Sequence, residues 1–341
     1  MPVLSQGLAA VLRETTGPSG VRLEEREATA LLPGHVRLGV RAASLNHLDL
    51  WVASGAQRVG LPRVLGADAA GVVLESDAPG WSVGQEALVY PVLCCWRCAA
   101  CRAGEQVLCP DFGILGEHGD GTAATQLQVP GSNLYPKPEG LSWVEAAAIP
   151  LTFLTAWRML RRAGLHPGDR LLVVGAGAGV ANAALALGLH LGARVAVTSR
   201  SKAKLERALE LGAEAAFSSQ DFAAGVRSWS PGGVDVVFEH VGPATIEQSL
   251  RCLRRAGRLV LCGSTTGPRA EINLARLFLG QGEILGSTMG NAGEFAQVLE
   301  AVAQGVRPIV DSVHPLERVE AALSRLEAQE QFGKVVLEMP S

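Results

Sequence analysis

The sequence predicts an α/β protein of two domains, a mostly β portion first and a doubly wound parallel sheet after it. Three observations carry that expectation. The chain has 341 residues, more than one ordinary hydrophobic core and enough for two. Its first 150 residues are crowded with turn signals that separate short alternating runs. From Gly168 onward, apolar strand candidates alternate with helix candidates, the pattern of parallel βαβ units.

The β portion is punctuated by Gly17-Pro18, Pro33-Gly34, Leu61-Pro62, Pro79-Gly80, Pro130-Gly131 and the stretch Pro136 to Gly140. Between them, runs such as His35 to Val40 and Gly71 to Leu74 alternate as half-buried strands do. Ser142 and Glu145 stand at capping-box spacing and open a helical segment that Pro150 should break or kink. Beyond Gly168 come LLVV, a helix, ARVAVTS, the helix SKAKLERALELGA, VDVVFEHVG, a helix, RLVLCGS, a helix and EILGSTM. After about Val310 a last helix and the strand FGKVVLE return. The span Leu171 to Ala193 has no charged side chain and is long enough to cross a bilayer. Its glycines divide it into a short strand and a helix from Ala181 to Leu191, so it reads as buried protein rather than as a membrane span.

Composition narrows the function. Hydrophobic residues make up 48% and charged residues 18%, with a formal net charge of -3, so nothing recruits nucleic acid or an anionic membrane. No secretory signal is visible, and the cysteines cluster at metal-ligand spacing rather than as a disulfide framework. The expectation is a cytoplasmic protein.

The run VVGAGAGVANAA lies between a strand and a helix, where glycines let the backbone approach a pyrophosphate. Gly175, Gly177, Gly179 and Val180 form the expected turn, although the strict GxGxxG spacing fails because Gly175 and Gly177 require a glycine at 180, where the chain has Val180, and a placement ending in Gly179-Val180-Ala181 puts alanine third. A bare turn without ligand is the alternative. At the end of the next strand, NAD-binding chains usually carry an acid that takes the ribose hydroxyls. Here the text is Thr198-Ser199-Arg200-Ser201-Lys202, then Lys204, and two of the four lysines in the chain fall in this stretch. Hydroxyls and cations without a carboxylate favour the 2′-phosphate of NADP(H), with Ser199, Arg200 and Lys204 as its contacts. A solvated helix start is the competing reading.

Five of seven cysteines lie in CCWRCAACRAGEQVLC, residues 94 to 109. Cys95, Cys98, Cys101 and Cys109 are spaced by two, two and seven residues, so one loop can wrap a zinc ion with four thiolates. Four thiolates complete a tetrahedral shell and leave no position for water, which makes the expected zinc structural. An iron site, a redox dithiol, or Cys94 in place of Cys95 are the alternatives. Cys262 in RLVLCGS should pack near the cofactor rather than react.

The segments RAASLNHLDLW (41–51), LGADAAGVV (65–73), the cysteine lobe, LGEHGDG (115–121), AAAIPLTFLTAW (146–157), the glycine turn and FGKVVLE together resemble one family. It is the zinc-type alcohol dehydrogenase branch of the medium-chain dehydrogenases and reductases, which includes the quinone reductases. The resemblance implies a GroES-like β-barrel domain from residues 1–151 and 311–341, with a zinc lobe at about 94–110. It implies a Rossmann NADP-binding domain at 152–310, and a homodimer or homotetramer. It also implies that Thr152, Gly263 and Lys334 lie beside the cofactor.

The family's catalytic zinc takes a cysteine, a His-Glu pair and a later cysteine or acid. Those positions read Asn46, Ala67-Asp68 and about Thr152, and the proton-relay positions read Leu48 and Trp51. Only Asp68 is a good ligand, too few for zinc. Asn46 followed by Asp49 resembles instead the zinc-free quinone and enone reductases. There, hydrogen-bond donors must polarise the carbonyl, with Asn46 as one candidate, Asp49 beside it, and His118 as a second donor or proton source. His47 is read as a structural neighbour that could still join Asp68 and His118 around a metal. The expected function is NADPH-dependent hydride transfer to a quinone, enone, aldehyde or ketone. An alcohol dehydrogenase with an atypical second zinc, or an NADPH sensor without catalysis, are the alternatives.

Overall fold

The computed structural model describes residues 7–27 and 29–340. It divides into two compact units. One comprises the chain up to Leu151 together with Asn291–Leu299 and Pro308 onward; the other comprises Thr152–Gly290 and Glu300–Arg307. The expected cofactor domain ran unbroken over 152–310, so the structure differs at 291–299 and 308–310. The physical reason is a set of hydrogen bonds that tie residues 291 and 292 to the cysteine lobe: Val107 N to Asn291 Oδ1 (3.2 Å), Asn291 Nδ2 to Glu105 Oε2 (2.9 Å) and Ala292 N to Gln106 Oε1 (3.2 Å).

The first unit is built around the strand His35–Leu45, eleven residues long. It pairs antiparallel with Asp68–Ser76 on one side, and with Lys334–Glu338 and, further back along its length, Gln126–Pro130. Leu134–Pro136, Glu86–Val89 and Val310–Pro315 complete the seven-stranded sheet. A second sheet joins Gly7–Leu12 to Val21–Arg26 and Arg63–Val64. The core between them draws on both ends of the chain, with Leu38, Leu45, Leu65 and Val73 packed in one cluster with Leu323, Val335 and Leu337. Register then fixes the site. Ser44 lies opposite Asp68, and Leu45 opposite Val335, so residues 44, 46, 68 and 334 gather at one end of the central strand.

The capping box at Ser142 and Glu145 is formed: Glu145 N donates to Ser142 Oγ (3.2 Å) and Ser142 N to Glu145 Oε2 (2.9 Å). Its helix, Trp143–Ala147, stops short of Pro150, and a new helix, Pro150–Arg162, starts on the proline. A proline at the first helical position loses no intrahelical hydrogen bond.

The second unit is a six-stranded, wholly parallel sheet in the order Ala215–Ser218, Arg194–Ser199, Arg170–Val173, Val234–Glu239, Leu253–Leu261, Glu283–Gly286. The chain starts in the middle with Arg170–Val173 and builds first to one side and then to the other, which puts the topological switch between that strand and Val234–Glu239. The charge-free span resolves as expected: Leu171, Leu172 and Val173 are buried sheet, Val174 is buried just after it, and Gly179–His190 is a helix buried on several faces. Among the described residues no helix is long and apolar enough to cross a membrane.

Gly71, on the strand Asp68–Ser76, has no room for a side chain because a Cβ there would stand 2.2 Å from the backbone oxygen of Gly39 on the central strand. Gly71→Ala must spread the central strand pair, and overpacking of this kind costs about 1–3 kcal/mol. The expected outcome is a lower thermal unfolding midpoint; an unchanged midpoint would show that the strand pair yields without cost.

Candidate active site

Asn46 follows the central strand and caps the helix His47–Ala53. Three residues on, Asp49 is 2% exposed and accepts from the backbone N–H groups of Asn46 and Gly66, both at 2.7 Å. Burial pushes its pKa up to about 6, against the pull of those two N–H groups and of Lys334. Both Asp49 oxygens are thus spent on the backbone. The sequence set Asp49 beside Asn46 among the catalytic candidates; the structure uses it to clamp the helix start to the turn at Gly66.

Asp68 is fully buried and is the centre of the polar network. Its Oδ2 accepts from Asn46 Nδ2 (2.9 Å) and from Lys334 Nζ (2.9 Å), and lies 2.9 Å from Ser44 Oγ. Ser44 Oγ stands between that carboxylate and the Ala147 carbonyl at 2.8 Å. The other oxygen, Oδ1, accepts from Leu151 N at 2.7 Å. Lys334 Nζ donates also to Asn46 Oδ1 at 2.5 Å. A buried carboxylate and a buried ammonium therefore neutralise each other, with the amide of Asn46 bridging them. Lys334, expected on the cofactor, is 3% exposed and turned into this network.

These residues do not fit a zinc ion. Asp68 is the one carboxylate bonded to the side chains of Asn46 and Lys334, three of its lone-pair sites take N–H donors, and a divalent ion beside it would face the Lys334 cation. His47 packs edge-on against Trp51, ring centroids 5.1 Å apart. His118, the expected second donor, is exposed at the turn after Ile114; its Nδ1 accepts from Ile114 N at 3.3 Å and lies 3.7 Å from Glu117. Neutral His118 therefore carries its proton on Nε2. The structure does not draw it into the Asp68 network. Among the described residues, the one group of His, Cys, Asp or Glu side chains arranged to hold a metal is Cys95, Cys98, Cys101 and Cys109.

The thiols of that group fit zinc closely. Their sulfurs all lie within 4.8 Å of one another, with separations of 3.5 Å (Cys95–Cys109), 3.8 Å (Cys98–Cys109) and 3.9 Å (Cys95–Cys101). Tetrahedral zinc with bonds of about 2.3 Å requires sulfurs about 3.8 Å apart. Backbone N–H groups of Cys95, Cys98, Cys101 and Asp111 point at the sulfurs at 3.3–3.4 Å, the outer-shell donors that stabilise thiolate charge. The amides of Arg97 and Cys98 bring the Cys95 thiol down to about 6. Cys94 stands outside the quartet, its thiol raised by burial.

In the parallel-sheet unit, Gly175 opens the glycine turn with φ +84°. Gly175 N and Ala176 N donate to the Thr198 carbonyl at 3.1 and 2.8 Å, and Asn182 Nδ2 reaches back to Ala176 O (2.7 Å) and Ala178 O (3.1 Å). The turn through Gly177 leads into the helix at Gly179 and Val180, which are only half-buried. This leaves the open N–H groups of a helix start available to an anion. Ser199 is buried and its Oγ accepts from Ser201 N (3.2 Å), while Arg200 is exposed and Lys204 half-buried. Thr152 is buried in the helix Pro150–Arg162, and Gly263 follows the strand Leu253–Leu261 half-buried. Desolvation pushes the Cys262 thiol up to about 12, so it is a poor nucleophile.

Sequence reasoning missed Ser44, Asn182, Glu239 and His240. The buried run VDVVFEHVG carried a signal for the last two, because an acid and a histidine ending an apolar strand need partners.

A family model described as zinc-binding dehydrogenase matches residues 179–304, and one described as the alcohol dehydrogenase GroES-like domain matches 32–139. A zinc-type alcohol dehydrogenase-like protein of Schizosaccharomyces pombe is 30% identical over 96% of this chain and 97% of its own. A crotonyl-CoA reductase of Streptomyces avermitilis is 28% identical over 95% of this chain and 83% of its own. A crystal structure of an NAD-dependent alcohol dehydrogenase is 40% identical with a TM-score of 0.94, covering 98% of this chain and all of the other.

Removing the ammonium should show how much the network depends on it. Lys334→Met leaves the Asp68 charge buried without a counter-charge, and breaking such a pair costs about 3–5 kcal/mol. Adding Asp68→Asn should recover more than half of that loss in chemical denaturation; no recovery would mean that Lys334 acts through packing.

Proposed function

This chain belongs to the zinc-type alcohol dehydrogenase-like branch of the medium-chain dehydrogenase/reductase family, and on that premise we propose an NADPH-dependent reductase of a quinone, an enone, or an aldehyde or ketone, with a structural zinc and no catalytic one. That it is an NAD(P)-dependent oxidoreductase follows from the family. The observation that carries the metal-free reading is the Asp68 carboxylate, engaged by Asn46, Lys334 and the Leu151 amide where metal chemistry would need free ligands. A relative named crotonyl-CoA reductase is consistent with reduction as the working direction.

When bound, the dinucleotide supplies the hydride. The chain's own task is then to orient the acceptor and stabilise the negative charge that grows on its oxygen. An amide nitrogen carries two hydrogens and an ammonium three; the network spends one from Asn46 and two from Lys334. One N–H from each is left, and these are the donors assigned to the substrate oxygen. His118 Nε2–H is assigned as a proton source. Thiolates of Cys95, Cys98, Cys101 and Cys109 hold the zinc and take no part in the hydride step.

A second reading is supported by the solved structure named NAD-dependent alcohol dehydrogenase at 40% identity: alcohol oxidation with NAD. Metal content separates the two. One zinc per subunit by elemental analysis, lost in Cys98→Ser, is the expected result; a second zinc that depends on Asp68 would overturn the metal-free site. Cofactor preference is tested separately, since Ser199 and Arg200 stand where an NAD-specific acid would stand. NADPH should bind at least tenfold tighter than NADH, and Arg200→Glu should abolish that ratio; equal affinities in the unmodified protein would favour NAD.

A further inference from the structure

The parallel-sheet unit holds one group that nothing described so far employs. His240 directly follows the strand Val234–Glu239, is 8% exposed, and its Nε2 is buried without a hydrogen-bond partner. It is aimed at the glycine turn. A Cβ built on Gly175 would stand 2.8 Å from that nitrogen, so the imidazole lies where any other residue at 175 would put its side chain.

The position is held deliberately. Glu239, fully buried, accepts from Val241 N (2.7 Å), Gly242 N (3.2 Å), Thr245 Oγ1 (3.0 Å) and Ser249 Oγ (2.7 Å). Four donors on one carboxylate fix the loop after the strand, and with it the direction of His240. A buried ring nitrogen left unpaired is costly, and native structures retain such groups where a ligand or ordered water completes them. Burial also lowers the His240 pKa, so the ring is neutral and presents Nε2 as either donor or acceptor.

Sheet order says which part of a ligand it meets. In doubly wound sheets a dinucleotide lies across the carboxyl ends of the strands at the switch point, one mononucleotide on each side. Thr198, Ser199 and Arg200 end the strand on one side of Arg170–Val173, and His240 ends the strand on the other. The first side is assigned to the adenosine half above. We infer that His240 is a positioning residue for the cofactor, its Nε2 hydrogen-bonded to a ribose hydroxyl of the nicotinamide half. This rests on the reading of the glycine turn as a dinucleotide site. A hydroxyl both donates and accepts, which suits a neutral imidazole better than a phosphate would.

The test uses two ligands and two variants. His240→Phe keeps the ring and removes the nitrogens; His240→Gln keeps a polar group at similar reach. Dissociation constants are measured by calorimetry for NADPH and for adenosine 2′,5′-bisphosphate, which lacks the nicotinamide ribose; if the protein prefers NADH, the pair is NADH and ADP. His240→Phe should weaken the dinucleotide about tenfold and leave the adenosine fragment within about twofold, and His240→Gln should recover most of the loss. Equal weakening of both ligands, or of neither, would overturn the inference. A wild-type protein that binds the fragment but no dinucleotide more tightly would overturn it as well, while binding of neither ligand would instead remove the reading of the turn on which it rests.

Discussion

A carboxylate and an ammonium 2.9 Å apart, both nearly without solvent contact, set the terms for the β unit. Neither charge could be buried alone, because desolvation of an isolated ion far exceeds what packing returns. Asp68 enters the site on one neighbour of the central strand and Lys334 on the other, so the pair can meet only if both strands register correctly against residues 44 and 46. Asn46 is the piece that suits both partners at once, giving an N–H to one and an oxygen to the other. An aspartate at 46 would add a second negative charge, and a cysteine would offer the ammonium a weaker acceptor.

The same arrangement places in the β unit a cation that is covalently part of the chain. A metal brings two positive charges and open coordination, whereas Lys334 brings one charge and directed N–H bonds. Among the described residues, the one cluster of side chains arranged to hold a metal is the cysteine lobe. Its hydrogen bonds run to Asn291 and Ala292 rather than to the Asp68 network, so the lobe braces the unit at a distance from the buried pair.

Much of the fold was legible in the chain. Branched apolar runs of four to six residues between helices gave the parallel strands, Ser142 with Glu145 marked a helix start, and Pro150 marked the break beside it. The thiol quartet could be read from spacing because its ligands share one short loop. The Asp68 network could not be read in that way. Its partners come from residues 44, 46, 151 and 334, and strand register, including the shift between Val40 and Ala42, decides which of them meet. Lys334 was therefore assigned to the cofactor and Asp49 to the substrate, when one neutralises Asp68 and the other binds two backbone amides. His240 was overlooked for a related reason: only sheet order brings the end of one strand against the turn that follows another.

Among the described residues Lys334 lies on the last strand in chain order, so the buried pair joins the two ends of the β unit. Asn46 and Asp68 precede that lysine by 288 and 266 residues, so the groups that meet in the site are far apart in the chain. The six strands of the parallel sheet all lie between them in the chain, the last ending at Gly286. Asp68 has its counter-charge only where the strand Lys334–Glu338 is paired with the end of the central strand at Leu45. One ammonium thus ties a late strand of the β unit to residues near its start, and the buried charge of Asp68 makes that closure obligatory.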